Sequence, residues 1–120
     1  MKQTLTDEKF GNCLQTCVAY LLKKDLHHVP NFMLFEHHWW SSLVMYLGIH
    51  KYIPDFVNDE APPADNNEYI VSLKFKRHSK GVSHAVVMKN GSVIFDPYPI
   101  INYSYDEAVI GGYYKIEKCN

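Results

Sequence analysis

From Asn12 to Lys24 apolar residues recur three and four apart, at Leu14, Val18, Leu21 and Leu22, which predicts a helix with Asn12 as N-cap after Gly11. Cys13 then falls in its first turn. Leu26-His27-His28-Val29-Pro30 ends the segment, because Pro30 drives Val29 out of the helical region. A second helix is predicted from about His37 to Leu47, where Trp40, Leu43, Val44 and Leu47 repeat and Gly48 offers a stop; its apolar face is expected on a sheet. Trp39 and Trp40 are neighbours, so on one helix only one of them is expected to point inward.

The period then changes. Asn58 to Asn67 is polar and holds Pro62 and Pro63, a surface loop. Beyond it, strands are predicted at Tyr69 to Phe75, at Ser83 to Met88 joined through Asn90-Gly91 to Ser92 to Asp96, and at Tyr113 to Glu117. Helices first and an antiparallel sheet afterwards define an α+β fold. No internal repeat is visible.

At 120 residues and 47% apolar, the chain is expected to be a single domain, 1–120, with one core. The net charge is −1, and Lys74, Lys76, Arg77 and Lys80 read as the solvated face of a strand, so no nucleic-acid partner is expected. Met1 to Glu8 lacks the apolar stretch of a signal peptide, and no run reaches the roughly 18 apolar residues that span a bilayer. A cytoplasmic protein with no membrane partner is the expectation. Three cysteines, an odd number, argue against a disulfide framework and for one reactive thiol.

Cys13 is that candidate, since the unpaired amides and dipole of a helix N-terminus favour the thiolate. Cys17, one turn later, is expected in the core, and Cys119 at an exposed or frayed terminus without a role. A base held by a third group is available in His84 and Asp96, on one hairpin. A two-residue Asn90-Gly91 turn sets His84 opposite Pro97 and puts Asp96 on the wrong face. A three-residue loop, Lys89-Asn90-Gly91 with Gly91 in a bulge, pairs His84 with Asp96, Val86 with Ile94 and Ala85 with Phe95. The bulged register is therefore expected, with Cβ atoms about 5 Å apart.

Zinc ligation by His27-His28 and His37-His38 with Cys13 or Cys17 is the rival chemistry. Adjacent histidines diverge, and neither Cys-x-x-Cys nor His-x-x-x-His occurs, so no metal and no cofactor are expected.

Gln3, then Gly11-Asn12-Cys13-Leu14-Gln15-Thr16-Cys17-Val18-Ala19-Tyr20-Leu21-Leu22, then His84-Ala85-Val86-Val87 and Asp96-Pro97, resemble the papain-like cysteine peptidases. The likeness is to the bacteriocin-processing peptidase domains of ABC exporters and to small bacterial and phage proteins of the same build. It implies a papain-like fold, a Cys-bearing N-terminal helix packed on a small antiparallel sheet, with Cys13, His84 and Asp96 catalytic. It also implies that Gln3 helps hold the oxyanion, although Gln3 lies further from Cys13 than the family's glutamine does. Peptide or amide hydrolysis through a thioester on a peptide or protein substrate is the expected activity. The alternatives are acyl transfer or deamidation by the same groups, or a phage-encoded binding or inhibitor module that grips a partner without cutting it. Trp39, Tyr98, Tyr103 and Tyr105 are the aromatic residues that such a partner surface would use.

Overall fold

Tyr69-Ile70-Val71 and Ala85-Val86-Val87 are unbroken apolar runs, the signature of strands covered on both faces. In the computed structural model, which describes residues 12–75, 83–97 and 108–119, both runs lie in the middle of a five-stranded antiparallel sheet. The chain is an α+β protein with α1 (Cys13–Leu22), α2 (Trp39–Ile49) and strands β1 (Tyr52–Asn58), β2 (Glu68–Phe75), β3 (Ser83–Lys89), β4 (Ser92–Phe95) and β5 (Ala108–Lys118). The order across the sheet is β1-β5-β2-β3-β4. Ile70, Ala85, Val87 and Tyr114 face Leu14, Cys17, Val18, Phe32, Leu43 and Leu47 from the helical layer. Tyr69, Val71, Leu73, Val86 and Tyr113 form a second apolar cluster on the other face.

The sequence pattern does not predict β1. Pro54 breaks its apolar run and cannot donate to a ladder, which confines such a strand to a sheet edge, and among the described residues β1 is an edge strand paired with β5 alone. Beside it, β5 bulges opposite Ser72/Leu73. There Gly112 takes φ 147°, and a Cβ would stand 2.5 Å from the Phe56 ring and from the Val57 carbonyl oxygen.

Asn12 is the N-cap of α1 as expected, but its side chain makes no capping hydrogen bond to the first turn. It is buried, and its amide donates instead to Gln15 Oε1 at 3.1 Å, while its carbonyl accepts from Thr16 N–H and Thr16 Oγ1 at 3.0 and 2.8 Å. Gly48 does not stop α2; the helix runs on to Ile49, and the reversal falls at Lys51, with φ 66°. Leu43 and Leu47 are buried as expected, but Val44 stays exposed with Met45 and Ile49.

The two tryptophans also depart from the helix-wheel argument. Both are half-buried and pack on the core, Trp40 stacked on Tyr114 and Trp39 edge-on to it. Trp39 opens α2 directly after the 3₁₀ segment Phe32–His38, which is kinked by a left-handed Glu36, so its direction is set by that turn and not by the helix period. Cys119 is half-buried rather than frayed, because its N–H donates to the Lys51 carbonyl at 2.7 Å beyond the end of β5.

The β3–β4 register corrects the expected loop. Lys89 faces Ser92, so Asn90-Gly91 is a two-residue turn, with φ 52° and 80° as the mirror-image type I′ turn requires. The extra residue enters further on: Met88 faces Val93 but Val87 faces Phe95, leaving Ile94 as the bulge. Asp96 is thereby set diagonal to His84, not directly opposite, with the face parity of the expected register kept. Asn-Gly favours the tight turn strongly enough that the shift moves into the strand.

Candidate active site

β4 ends at Phe95, and Asp96-Pro97 follows. Because in-plane backbone groups alternate between the two edges of a strand, Ala85 directs its N–H and C=O to the same side as Val87, toward β4. The position that would pair with them is Pro97, which has no N–H. α1 fills the gap: Ala85 N–H donates to Cys13 Sγ at 3.4 Å, and Cys17 Sγ donates to the Ala85 carbonyl at 3.3 Å. One residue of β3 thus fixes both thiols of α1. The start of the helix is aimed at the start of the strand.

His84 precedes Ala85, so the same docking brings its ring to Cys13. His84 Nε2 lies 2.7 Å from Asp96 Oδ1, and the ring also meets the Cys13 side chain. The side chains of His84 and Asp96 are 14% and 4% exposed, so water screens their contact little. Burial opposes the imidazolium, but hydrogen bonds to Asp96 and Cys13 and their negative charges outweigh it and raise its pKa from 6.5 to about 9. At neutral pH the ring is protonated, the form that pairs with a thiolate.

The two cysteines are therefore unlike. Burial, then repulsion from Cys13 and Asp96, pushes the Cys17 thiol well up, so Cys17 stays protonated and donates to Ala85. Cys13 is half-buried, in the first turn of α1, where helix amides have no intrahelical carbonyl to bond. Those amides and Ala85 N–H present positive dipoles to a charge on its sulfur or on an oxygen beside it. Gln3, expected to assist such an oxygen, lies outside the described residues, as do Tyr98, Tyr103, Tyr105, Lys76, Arg77 and Lys80.

Three contributors escape the sequence argument. Ala85 acts through its backbone, which no side-chain pattern reports. Gln15 ties Asn12 to the following turn by donating to the carbonyls of Leu26 and Val29 at 3.2 and 2.6 Å. Tyr114 is buried near both thiols, and burial above all raises its pKa beyond the usual phenol range. The histidine pairs also behave otherwise than expected: the rings of His27 and His28 lie 4.1 Å apart and those of His37 and His38 4.0 Å, neighbours rather than divergent arms.

An open cleft of about 580 Å³ lies at the other end of α1, lined by Leu21, Leu22, Tyr52, Tyr69, Lys115 and Lys118 among others, and none of Cys13, His84 and Asp96 touches it. Among the described residues no helix is long and apolar enough to cross a membrane. No family model matches the chain, and neither a curated protein nor a solved structure matches it.

Proposed function

We propose that the chain is a papain-like cysteine hydrolase that cleaves a peptide or amide bond through a thioester on Cys13. The observation that carries this reading is the continuous contact from the Asp96 carboxylate through the His84 ring to the Cys13 sulfur, with Ala85 N–H on that sulfur. In the proposed cycle, the Cys13 thiolate attacks the carbonyl carbon, and the first-turn amides of α1 receive the oxyanion. His84 gives its proton to the departing nitrogen as the C–N bond breaks. It then takes a proton from water, which attacks the thioester and releases the acid and the Cys13 thiolate. Asp96 keeps the ring oriented and offsets its charge. All three cysteines are free, in keeping with a reducing, cytoplasmic setting for a reactive thiol. Acyl transfer to an amine differs only in the second acceptor.

Iodoacetamide labelling near neutral pH, with peptide mapping, tests the reading on the wild type and on His84→Ala. Rapid labelling confined to Cys13 and slowed by the substitution is expected; equal, slow labelling of all three cysteines would sink it. A panel of amide and peptide substrates then separates hydrolysis from a thiol that is activated but serves transfer or binding.

A further inference from the structure

We infer that Asp25, His27 and His28 form a binding site for a zinc-class transition metal ion, on the turn that follows α1. One ligand atom from each of the three lies within 4.8 Å of the other two, and all three residues are exposed. Two imidazole nitrogens and a carboxylate oxygen are a borderline donor set that suits Zn²⁺, Ni²⁺ or Cu²⁺; Mg²⁺ and Ca²⁺ take oxygen ligands. With metal–ligand bonds of about 2.0–2.2 Å, ligand atoms need to close to roughly 3.5 Å, a movement within reach of exposed side-chain rotations.

The turn that carries them is held from outside the group. Gln15 donates to the carbonyls of Leu26 and Val29, Tyr46 donates to the His28 carbonyl at 3.3 Å, and Val29 is buried in the core. His28 N–H donates to the Asp25 carbonyl at 3.0 Å, closing the turn that brings the carboxylate back beside the two rings. The backbone is thus fixed before a metal arrives, and only side-chain freedom is lost on binding. His37 and His38 stack in the same way, but no third ligand group joins them among the described residues. Three protein ligands leave at least one coordination position for water or an outside donor. Through Gln15, whose Oε1 accepts from Asn12, the bound ion clamps the chain that leads into Cys13.

The site stands whether or not Cys13 is a nucleophile, and the test keeps the two apart. The full chain carrying Cys13→Ala, stripped with EDTA and desalted, is titrated with zinc chloride by calorimetry. One equivalent is expected to bind, with a melting temperature that rises with zinc and not with magnesium. Loss of an outer-shell partner alone costs 10–100-fold in metal affinity, so His27→Gln, His28→Gln and Asp25→Asn should each weaken binding by at least about tenfold. His37→Gln should leave it unchanged. All four positions are exposed, so folding is not at stake. No stoichiometric binding to the Cys13→Ala chain, or an equal loss from His37→Gln, overturns the inference.

Discussion

The two ends of α1 are built in opposite ways. Its N-terminal end meets β3 in a closed corner where a thiol, an imidazole and a carboxylate touch and little solvent reaches the last two. Its C-terminal end opens on the cleft of about 580 Å³, with Leu21 and Leu22 beside Tyr52, Tyr69, two lysines and two glutamates. The open cleft and the candidate thiol site are thus at opposite ends of one helix. The helix itself explains the choice, because its amides gather positive potential at the first turn and its carbonyls negative potential at the last. A thiolate belongs at the first; the far cleft, where Lys115 and Lys118 are matched by Glu68 and Glu117, carries no such bias.

Substitutions at the two ends should therefore separate cleanly. The largest effect is expected from Cys13→Ser, which should lower amide turnover by about 10⁴-fold or more, whereas Lys118→Ala at the far cleft should leave it within about twofold. Steady-state rates on one cleaved substrate measure both. A comparable loss from Lys118→Ala would move the reaction to the large cleft.

Asp96→Asn comes next, with a loss of about 10²–10⁴-fold, since it removes the charge that orients and stabilises the His84 imidazolium. It also changes the pH dependence. The wild-type His84 pKa is raised from 6.5 to about 9, so its contribution to stability is full below pH 6.5 and is lost as the pH rises through about 9. Thermal unfolding of the wild type should weaken across that interval by a few kcal/mol, because each tenfold change in proton affinity is worth roughly 1.4 kcal/mol. In Asp96→Asn the drop should shrink, and the descending limb of the rate profile should move from near pH 9 toward neutrality. An unchanged limb would mean that another group sets it.

How far this corner was legible follows from the range of each signal. Cys13 at a helix start depends on a local period of apolar residues, and the sequence carries that period openly. The approach of Asp96 to His84 needed a parity argument, and the parity held although Lys89-Asn90-Gly91 is not the bulged loop. Ile94 carries the shift instead, and no propensity marks Ile94 as a bulge. β1 was illegible because Pro54 contradicts a strand unless the edge position is known. The role of Ala85 depends on where β4 stops, a tertiary fact. The grouping of Asp25 with His27 and His28 depends on a 3₁₀ turn that ligand-spacing rules for helices do not cover.

A smaller effect is expected from Asn12→Ala, at the reactive end. Asn12 is buried and its amide meets Gln15, so the change leaves Gln15 Oε1 without that donor and loosens the approach to Cys13. A loss of about 1–2 kcal/mol in denaturant unfolding is expected, with slower alkylation of Cys13 as the second readout. Loss of stability with no change in alkylation would make Asn12 a packing residue only.

The smallest effect belongs to the far end and has the opposite sign. α1 stops because Lys23 turns left-handed, at φ 56° and ψ 47°, with Lys23 N–H on the Tyr20 carbonyl and Lys24 N–H on the Ala19 carbonyl. That conformation costs a non-glycine residue about 1 kcal/mol, and glycine adopts it freely. Lys23→Gly should therefore stabilise the protein by up to about 1 kcal/mol in denaturant unfolding, less the entropy that glycine adds to the unfolded chain. Alkylation of Cys13 should not change, because the cap lies at the end of α1 away from it. A change in that rate would show that the two ends are coupled through the helix, and the contrast between them would then describe one site instead of two.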